Sequence, residues 1–318
     1  MDTALVGDIG ATNARFAVLR NGQPVATQVL AVADYASLEA AMIAYLAGLP
    51  EDAARPRQAA IAVAGPVTGD YLSFTNHPWS FSQNRLRADL GLGRLIVVND
   101  FVAQAMAIPR FGSGDCRQVG GGAPVAGAPV GIIGPGTGLG VSILAPGDNG
   151  TLTALAGEGG HVTLPAETER EAAVIAWLHG QGRDHVSAES VLSGPGLSHL
   201  AAALSAIDGI KHAAMEPPEV TAHALAGDDA VAVEVMAMFC AMLGSVAGNL
   251  ALTAGARGGV YIAGGIVPRL GDLFDTSTFR ERFVAKGRMR AFLEPIPTFV
   301  IVNKLPAFLG LAEVLARG

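Results

Sequence analysis

The chain opens on an apolar block, TALVGDI, that ends in a polar, glycine-bearing turn; ARFAVLR and PVATQVLAV follow, with NGQ between them. Short apolar blocks rich in Val, Leu and Phe and bounded by Gly and Asn predict three strands, and NGQ predicts a hairpin turn. The period then changes. SLEAAMIAYLAGL carries its apolar positions at helical spacing behind a serine, so a serine-capped helix is expected. QAAIAVAGPV predicts a strand ending at Gly-Pro, NRLRADLGL a short helix and RLIVVND a buried strand. The order β-β-β-α-β-α-β predicts a mixed sheet with helices on its faces.

From about Ser113 to Pro129 the sequence is rich in Gly and Pro, with GGGAPVAGAP at its centre, which predicts a loop or a lobe boundary. APVGIIGPGTGLGVSIL then repeats the strand, glycine-rich turn, strand device of DIGATNARFAVL. This internal echo predicts two related sheets. TEREAAVIAWLHGQ and the run through Leu252 predict long helices, GGVYIAG a strand, and TFVIV a last strand before a closing helix, AFLGLAEVLAR. The uncharged run from Val235 to Ala256 is long enough to span a bilayer. It carries Ser245, Asn249, Thr253 and several glycines, and no basic cluster flanks it, so a buried core helix is expected and a membrane partner is not.

Composition narrows the function classes. At 318 residues, two domains or two lobes are expected, and 50% hydrophobic against 15% charged residues leaves ample material for large cores. A net charge of -7 without any Lys/Arg cluster argues against a nucleic-acid partner. Cys116 and Cys240 lie far apart and supply neither a disulfide framework nor a metal quartet, which suits a reducing compartment. MDTALVGDIG has no basic leader followed by a long apolar stretch, so no signal peptide is expected and a cytoplasmic location is.

Polar residues set among these blocks carry the candidate chemistry. Glycine-rich turns present backbone N–H groups that can cradle phosphate oxygens, or are simply hairpins. Neither turn here is a Walker A loop, and Gly134 to Gly140 does not fit the dinucleotide spacing; each turn holds a threonine, Thr12 and Thr137. AGGI, Ala263 to Ile266, follows a strand and opens a helix, where N–H groups face an anion. Asp8 is an Asx-type turn residue or a carboxylate that holds Mg²⁺ through water. Glu158 and His161 are three apart, but Gly159 and Gly160 tell against a helix, so a turn presenting two polar side chains to a ligand is expected rather than a metal site. Glu189 alone reads as a solvated acid ahead of a serine-capped helix. Asn76 and His77 read as local turn chemistry beside an exposed-looking Trp79. In LIVVNDFVAQAMAIP, Asn99 and Asp100 end a buried strand; Asp100 reads as the cap of the next helix, and also stands where open α/β sheets place ligands.

Taken together, LVGDIGATNAR, TNHPWSFS, VNDFVAQAMAIP, GPGTGLGVS, GEGGHV, VSAESVLSGPGL, GGVYIAGGIVPR and FRERFVAKGRM resemble, in order and over essentially the whole chain, the bacterial ATP-dependent glucokinases of the hexokinase-like branch. The resemblance implies an α/β, two-lobed actin/hexokinase-like (ribonuclease H-like) fold with a mixed sheet in each lobe and a central cleft for ATP and sugar. It implies a small lobe of 1–110 plus 301–318 and a large lobe of 111–300. It further implies phosphorylation of glucose at its 6-hydroxyl by MgATP, and a homodimer. Asn99, Asp100, Glu158, His161 and Glu189 stand at the family's glucose-binding positions, with Asn76 a further candidate and Asp100 at the position of the catalytic base. Gly7, Asp8, Ile9, Gly10, Ala11 and Thr12, then Gly136, Thr137 and Gly138, match the nucleotide-phosphate loops; Gly264 and Gly265 form the third glycine pair. Asp8 is the expected partner of Mg²⁺. Ala11 departs from the family, where glycine is usual: its methyl is compatible with negative φ and strained at positive φ. The competing expectations are a kinase for fructose, mannose or N-acetylglucosamine, and a non-catalytic ATP-binding module of the same superfamily. A regulator of the related repressor/kinase group is not expected, because the first strand starts at about Thr3 and the two cysteines cannot supply that group's zinc motif.

Overall fold

Period-two alternation along the first strand decides how the N-terminal sheet is covered. The computed structural model describes residues 3–50, 55–74 and 79–317. In it β1 (Ala4–Ile9) turns Leu5 and Ile9 to one face and Ala4 and Val6 to the other. β2 (Asn13–Arg20) and β3 (Gln23–Ala31) follow antiparallel, and the turn between them uses Asn21 and Gly22 at φ 55° and 75°. That left-handed pair is what a two-residue hairpin matched to strand twist requires. α1 (Leu38–Ala47) starts at Ser37, whose Oγ accepts the Ala40 N–H. β4 (Gln58–Val63) then runs parallel to β1. A ribbon of β5 (Tyr71–Ser73) and β6 (Ser80–Ser82) and the helix α2 (Gln83–Asp89) lead to β7 (Arg94–Asn99), parallel to β4, and α3 (Asp100–Ala107). The sheet order is β3-β2-β1-β4-β7.

Leu38, Met42 and Tyr45 of α1 close one face over Leu5, Phe16 and Ile61. The other face is closed by α3 and by the chain's last helix, Pro306–Arg317, with Phe308 and Leu311 packed on Val6, Ala17 and Ala60. The two helices meet backbone to backbone, since a Cβ at Gly310 would overlap the Ala103 carbonyl. The C-terminus therefore belongs with the N-terminal sheet: residues 1–113 and 303–318 form one unit and residues 114–302 the other.

The second unit holds β8 (Cys116–Val119), β9 (Val130–Pro135), β10 (Leu139–Pro146), β11 (Leu152–Gly157), α4 (Glu169–Gly180), α5 (Gly194–Ile207), α6 (Pro217–Ala226), α7 (Ala230–Ala254) and β12 (Val260–Ile262). It continues through the short helices α8 (Val267–Leu270), α9 (Asp272–Asp275), α10 (Phe279–Val284) and α11 (Arg290–Leu293) to β13 (Thr298–Ile301); the closing helix is α12. Its sheet order is β11-β10-β9-β12-β13-β8. The first five strands repeat the N-terminal arrangement, an antiparallel meander followed by two parallel strands, with β8 added at the edge. The echo between the two glycine-rich turns is thus an echo of whole sheets.

α7 is the core helix of this unit. Among the described residues it is the one helix long and apolar enough to cross a membrane, and most of it is buried. Its glycines explain its composition: a Cβ at Gly244 would overlap the Phe279 carbonyl and one at Gly248 the Phe283 carbonyl, so both admit α10. Beside this contact Arg282 forks onto Glu171 of α4, with Nη1–Oε1 2.6 Å and Nη2–Oε2 3.1 Å, while its Nε donates to Ser245 Oγ at 3.1 Å.

Several expectations are corrected. β5 and β6 are three-residue strands on either side of Asn76 and His77, where only turn chemistry is expected, β8 lies inside the Gly/Pro-rich stretch, and β11 is an edge strand with no buried face. Trp79, expected at the surface, is 4% exposed. The ribbon folds it under, its Nε1 donates to the Tyr35 carbonyl at 3.0 Å, and its ring meets Phe74 edge-on.

Candidate functional site

β7 delivers Asn99 and Asp100 to the end of the parallel strands, as the sequence predicts. The helix cap, however, is Asn99 and not Asp100. Asn99 Oδ1 accepts the N–H groups of Phe101 at 2.9 Å and Val102 at 3.3 Å, and its Nδ2 donates to the Gly65 carbonyl at 3.1 Å. The oxygen is fully used, and one N–H remains to offer a ligand. Asp100 is the first helical residue, with Oδ1 accepting the adjacent Phe101 N–H at 3.0 Å. A negative charge there is favoured by the helix dipole. The reason for the swap is local: Asn99 keeps extended dihedrals, φ -65° and ψ 148°, which the cap position needs, and Asp100 has already turned helical.

The first glycine-rich segment is mostly strand. Gly7, Asp8 and Ile9 lie inside β1, and Ile9 is a core residue. Gly7 sits opposite Phe16 and Ile61, and a Cβ there would come within 3.0 Å of both side chains, so it serves packing. The turn proper is Gly10, Ala11 and Thr12, closed by Gly10 N–H donating to Asn13 O at 3.0 Å. Among the described non-glycine residues only Asn21 and Ala26 have positive φ, so the methyl of Ala11 is unstrained. Asp8 Oδ2 accepts from Arg15 Nη1 at 3.0 Å. Burial pushes the Asp8 carboxyl above its ordinary value of 3.8, against the pull of Arg15. Arg15 was not singled out from sequence, although the β1–β2 register that pairs it with Asp8 follows from the hairpin.

The second unit gathers the remaining residues. At the β9–β10 turn Gly136 N–H donates to Gly138 O at 2.8 Å, and Gly136 O accepts the N–H of Gly194, the first residue of α5, at 2.7 Å. Leu139 N–H donates to Glu189 Oε2 at 2.7 Å. Glu189 is therefore not a solvated surface acid: its side chain lies across the glycine-rich turn, and its backbone carbonyl accepts from Ser193 Oγ at 2.8 Å. Glu158 and His161 bracket a single 3-10 turn, Gly159–His161. His161 Nε2 stands 4.0 Å from Glu158 Oε2 and 3.9 Å from Glu189 Oε1. The glycines between them let this turn lie on β10, since a Cβ at Gly160 would overlap the Leu139 carbonyl. Backbone bonds Leu164 N–Val186 O, 3.0 Å, and Ala188 N–Val162 O, 2.9 Å, tie the segment after His161 to the one before Glu189.

Gly264, at φ 82°, lies against the end of β9, where a Cβ would overlap the Pro135 carbonyl; Ala263 N–H donates to Ile133 O at 2.8 Å. Gly264 thus rides on Gly134 and Pro135, at the entrance to the β9–β10 turn, with Gly265 next to it in the chain. The helix they open, α8, is one turn long, so its dipole adds little to an anion site. Asn76 and His77 lie outside the described residues. An open groove of about 400 Å³ in the first unit, bordered by Asp70, Asn84, Arg87 and Arg94, includes none of the candidate residues. No cluster of three or more His, Cys, Asp or Glu suited to a metal occurs among the described residues.

A sequence model of the family described as Glucokinase matches residues 5–318. The chain belongs to the glucokinase family. A glucokinase of Aromatoleum aromaticum is 52% identical to this family member over 313 residues, covering 98% of this chain and 94% of the relative. Among solved structures, a glucokinase from an Antarctic psychrotroph is similar with a TM-score of 0.90 and 34% identity over 100% of both chains. A ROK family glucokinase from Streptomyces griseus, solved in complex with glucose and AMPPNP, covers 99% of this chain and 100% of its own at a TM-score of 0.66 and 21% identity, a likeness of fold. The fold is the actin/hexokinase-like α/β fold, with a mixed sheet in each unit.

Proposed function

We propose that this glucokinase-family chain transfers the γ-phosphoryl group of ATP to the 6-hydroxyl of glucose, giving glucose 6-phosphate and ADP. The observation that carries the proposal is the convergence of Glu158, His161 and Glu189 beside the Gly136–Gly138 turn. Two carboxylates and an imidazole suit a ring of adjacent hydroxyls, each of which donates and accepts. A sugar with one hydroxyl misplaced leaves such groups unpaired, which supports discrimination of about 10⁴. Asn99 adds its remaining N–H, and Asn76 is a further candidate on sequence alone.

Asp100 is the general base. It takes the proton of the 6-hydroxyl as that oxygen bonds to the γ-phosphorus and the bond to the departing ADP breaks, a contribution of about 10²–10⁴ in rate. With Asn99 capping the helix, the Asp100 carboxylate is not needed to start it. Backbone N–H groups of Ala11 and Thr12 and of Thr137 and Gly138 are the phosphate donors; Gly10, whose own N–H closes the first turn on the Asn13 carbonyl, shapes it, and Gly264 and Gly265 lie alongside. Asp8, with one oxygen already on Arg15 and no cluster of three or more His, Cys, Asp or Glu among the described residues, fits a Mg²⁺ ion that would keep its waters and be held mainly by phosphate. When bound, Mg²⁺ neutralises charge on the transferred and leaving phosphates. Free thiols at Cys116 and Cys240 support a cytoplasmic location. The family resemblance supports a homodimer, which sedimentation velocity tests.

The test of substrate is ADP release with MgATP across glucose, fructose, mannose and N-acetylglucosamine. Glucose is expected to exceed each of the others in kcat/KM by at least about a hundredfold. A better turnover of another hexose overturns the choice of sugar, and ADP release independent of any sugar overturns the phosphotransfer.

A further inference from the structure

Glu189 has two neighbours that belong to different parts of the proposed reaction. Its Oε1 faces His161, on the sugar side, at 3.9 Å. Its Oε2 accepts the Leu139 N–H, the first strand amide after the phosphate turn, at 2.7 Å. The carboxylate reaches this amide by passing over Gly138, where a Cβ would overlap Oε2 itself. Gly138 does not have positive φ, so its backbone does not call for glycine; the space taken by Glu189 does. The far side of the same turn is pinned by Gly194 N–H on the Gly136 carbonyl at 2.7 Å. Ser193, which caps α5 and donates to the Glu189 carbonyl at 2.8 Å, joins the two pins.

We propose that Glu189 and Gly138 form a positioning pair that couples the sugar site to the nucleotide turn: the side chain that reads the sugar also sets the shape of the turn that receives phosphate. The inference rests on the glucose and ATP assignment above. It makes the two affinities reciprocal through one side chain, because any linkage between two ligands acts equally in both directions. A charge-assisted hydrogen bond to a backbone amide is among the stronger single contacts a turn can have, so its loss is felt by whatever the turn holds.

The crossed measurements separate this role from simple sugar contact. Glu189→Asp shortens the arm, so ADP binding measured by calorimetry with no sugar present is expected to weaken by about fivefold or more. Gly138→Ala places its methyl where Oε2 lies. The atom that must yield is the end of a flexible side chain and not backbone, so the fold is expected to survive. Its glucose affinity, measured with no nucleotide present, is expected to fall by about fivefold or more, although the substitution lies in the nucleotide turn. Adding Glu189→Asp to Gly138→Ala is expected to cost less than the product of the two single effects, because the shorter acid makes room for the methyl. An unchanged ADP affinity in Glu189→Asp, or an unchanged glucose affinity in a folded Gly138→Ala, overturns the coupling. Glu189→Asp introduces no new atom and decides the matter alone if Gly138→Ala does not fold. Wild-type protein that binds neither glucose nor ADP overturns the underlying assignment instead, a result distinct from both.

Discussion

At the scale of the residue, the decisive pair is Asn99 and Asp100, adjacent in sequence and assigned different work by one change of dihedral. Asn99 joins strand to helix through three hydrogen bonds, two as acceptor and one as donor. Asn99→Ala removes the cap and should cost about 0.5–2 kcal/mol in denaturant unfolding. It should also raise the glucose KM, since the segment that carries Asp100 loses its tie to the Gly65 carbonyl. Ala11 is the opposite case. It replaces the family's usual glycine at a position with no positive φ, so Ala11→Gly should change the ATP KM by less than about twofold. A larger gain in affinity on restoring glycine would show that the methyl obstructs phosphate.

At the scale of the element, the strands and helices that bury a clear face were legible: β1, β4, β7 and β9 as apolar runs, α1 and α4 as periodic segments behind Ser37 and Thr168. β11 was not, because an edge strand exposed along most of its length has no hydrophobic alternation to read. The role of Glu189 was hidden for a different reason: its partner amide lies 50 positions away, and only the folded β9–β10 turn brings them together. The Glu171–Arg282 pair is equally non-local, joining α4 to α10 across 111 positions. Glu171 is 2% exposed, so Arg282→Met leaves a buried carboxylate without its partner and should destabilise the second unit by about 3–5 kcal/mol in chemical unfolding. Burial acts to raise the Glu171 carboxyl, but the Arg282 fork and two backbone contacts outweigh it and hold the group below its ordinary 4.5. Its stabilisation is therefore present above pH 4.5 and is lost as pH falls through the lowered value. The start of α7 responds to pH from both sides. A hydrogen bond to Asp229 raises His212 above 6.5, and the same bond lowers Asp229 below 3.8. Their pairing is complete between those two values, then lost as pH rises through the raised histidine value or falls through the lowered aspartate value. The protection factor for hydrogen exchange at the Ala232 amide, which Asp229 caps, should be greatest in that window.

At the scale of the whole molecule, two sheets of matching order each contribute a glycine-bearing turn at the same topological place, after β1 and after β9. The residues proposed to hold the sugar are Asn99 and Asp100 after β7, and Glu158, His161 and Glu189 around the β9–β10 turn. Ligand binding should accordingly stabilise the intact protein: glucose at a hundred times its Kd adds about 2.7 kcal/mol, visible as a raised thermal midpoint. The central claim is that Asp100 removes a proton from the acceptor hydroxyl. The direct measurement is kcat for Asp100→Asn at saturating glucose and MgATP, alongside its unfolding free energy. Because Asn99 holds the cap, stability should change by less than about 1 kcal/mol, the scale of one charge at a helix N-terminus. Turnover should fall by at least about a hundredfold. A folded variant with near-normal turnover would contradict the account.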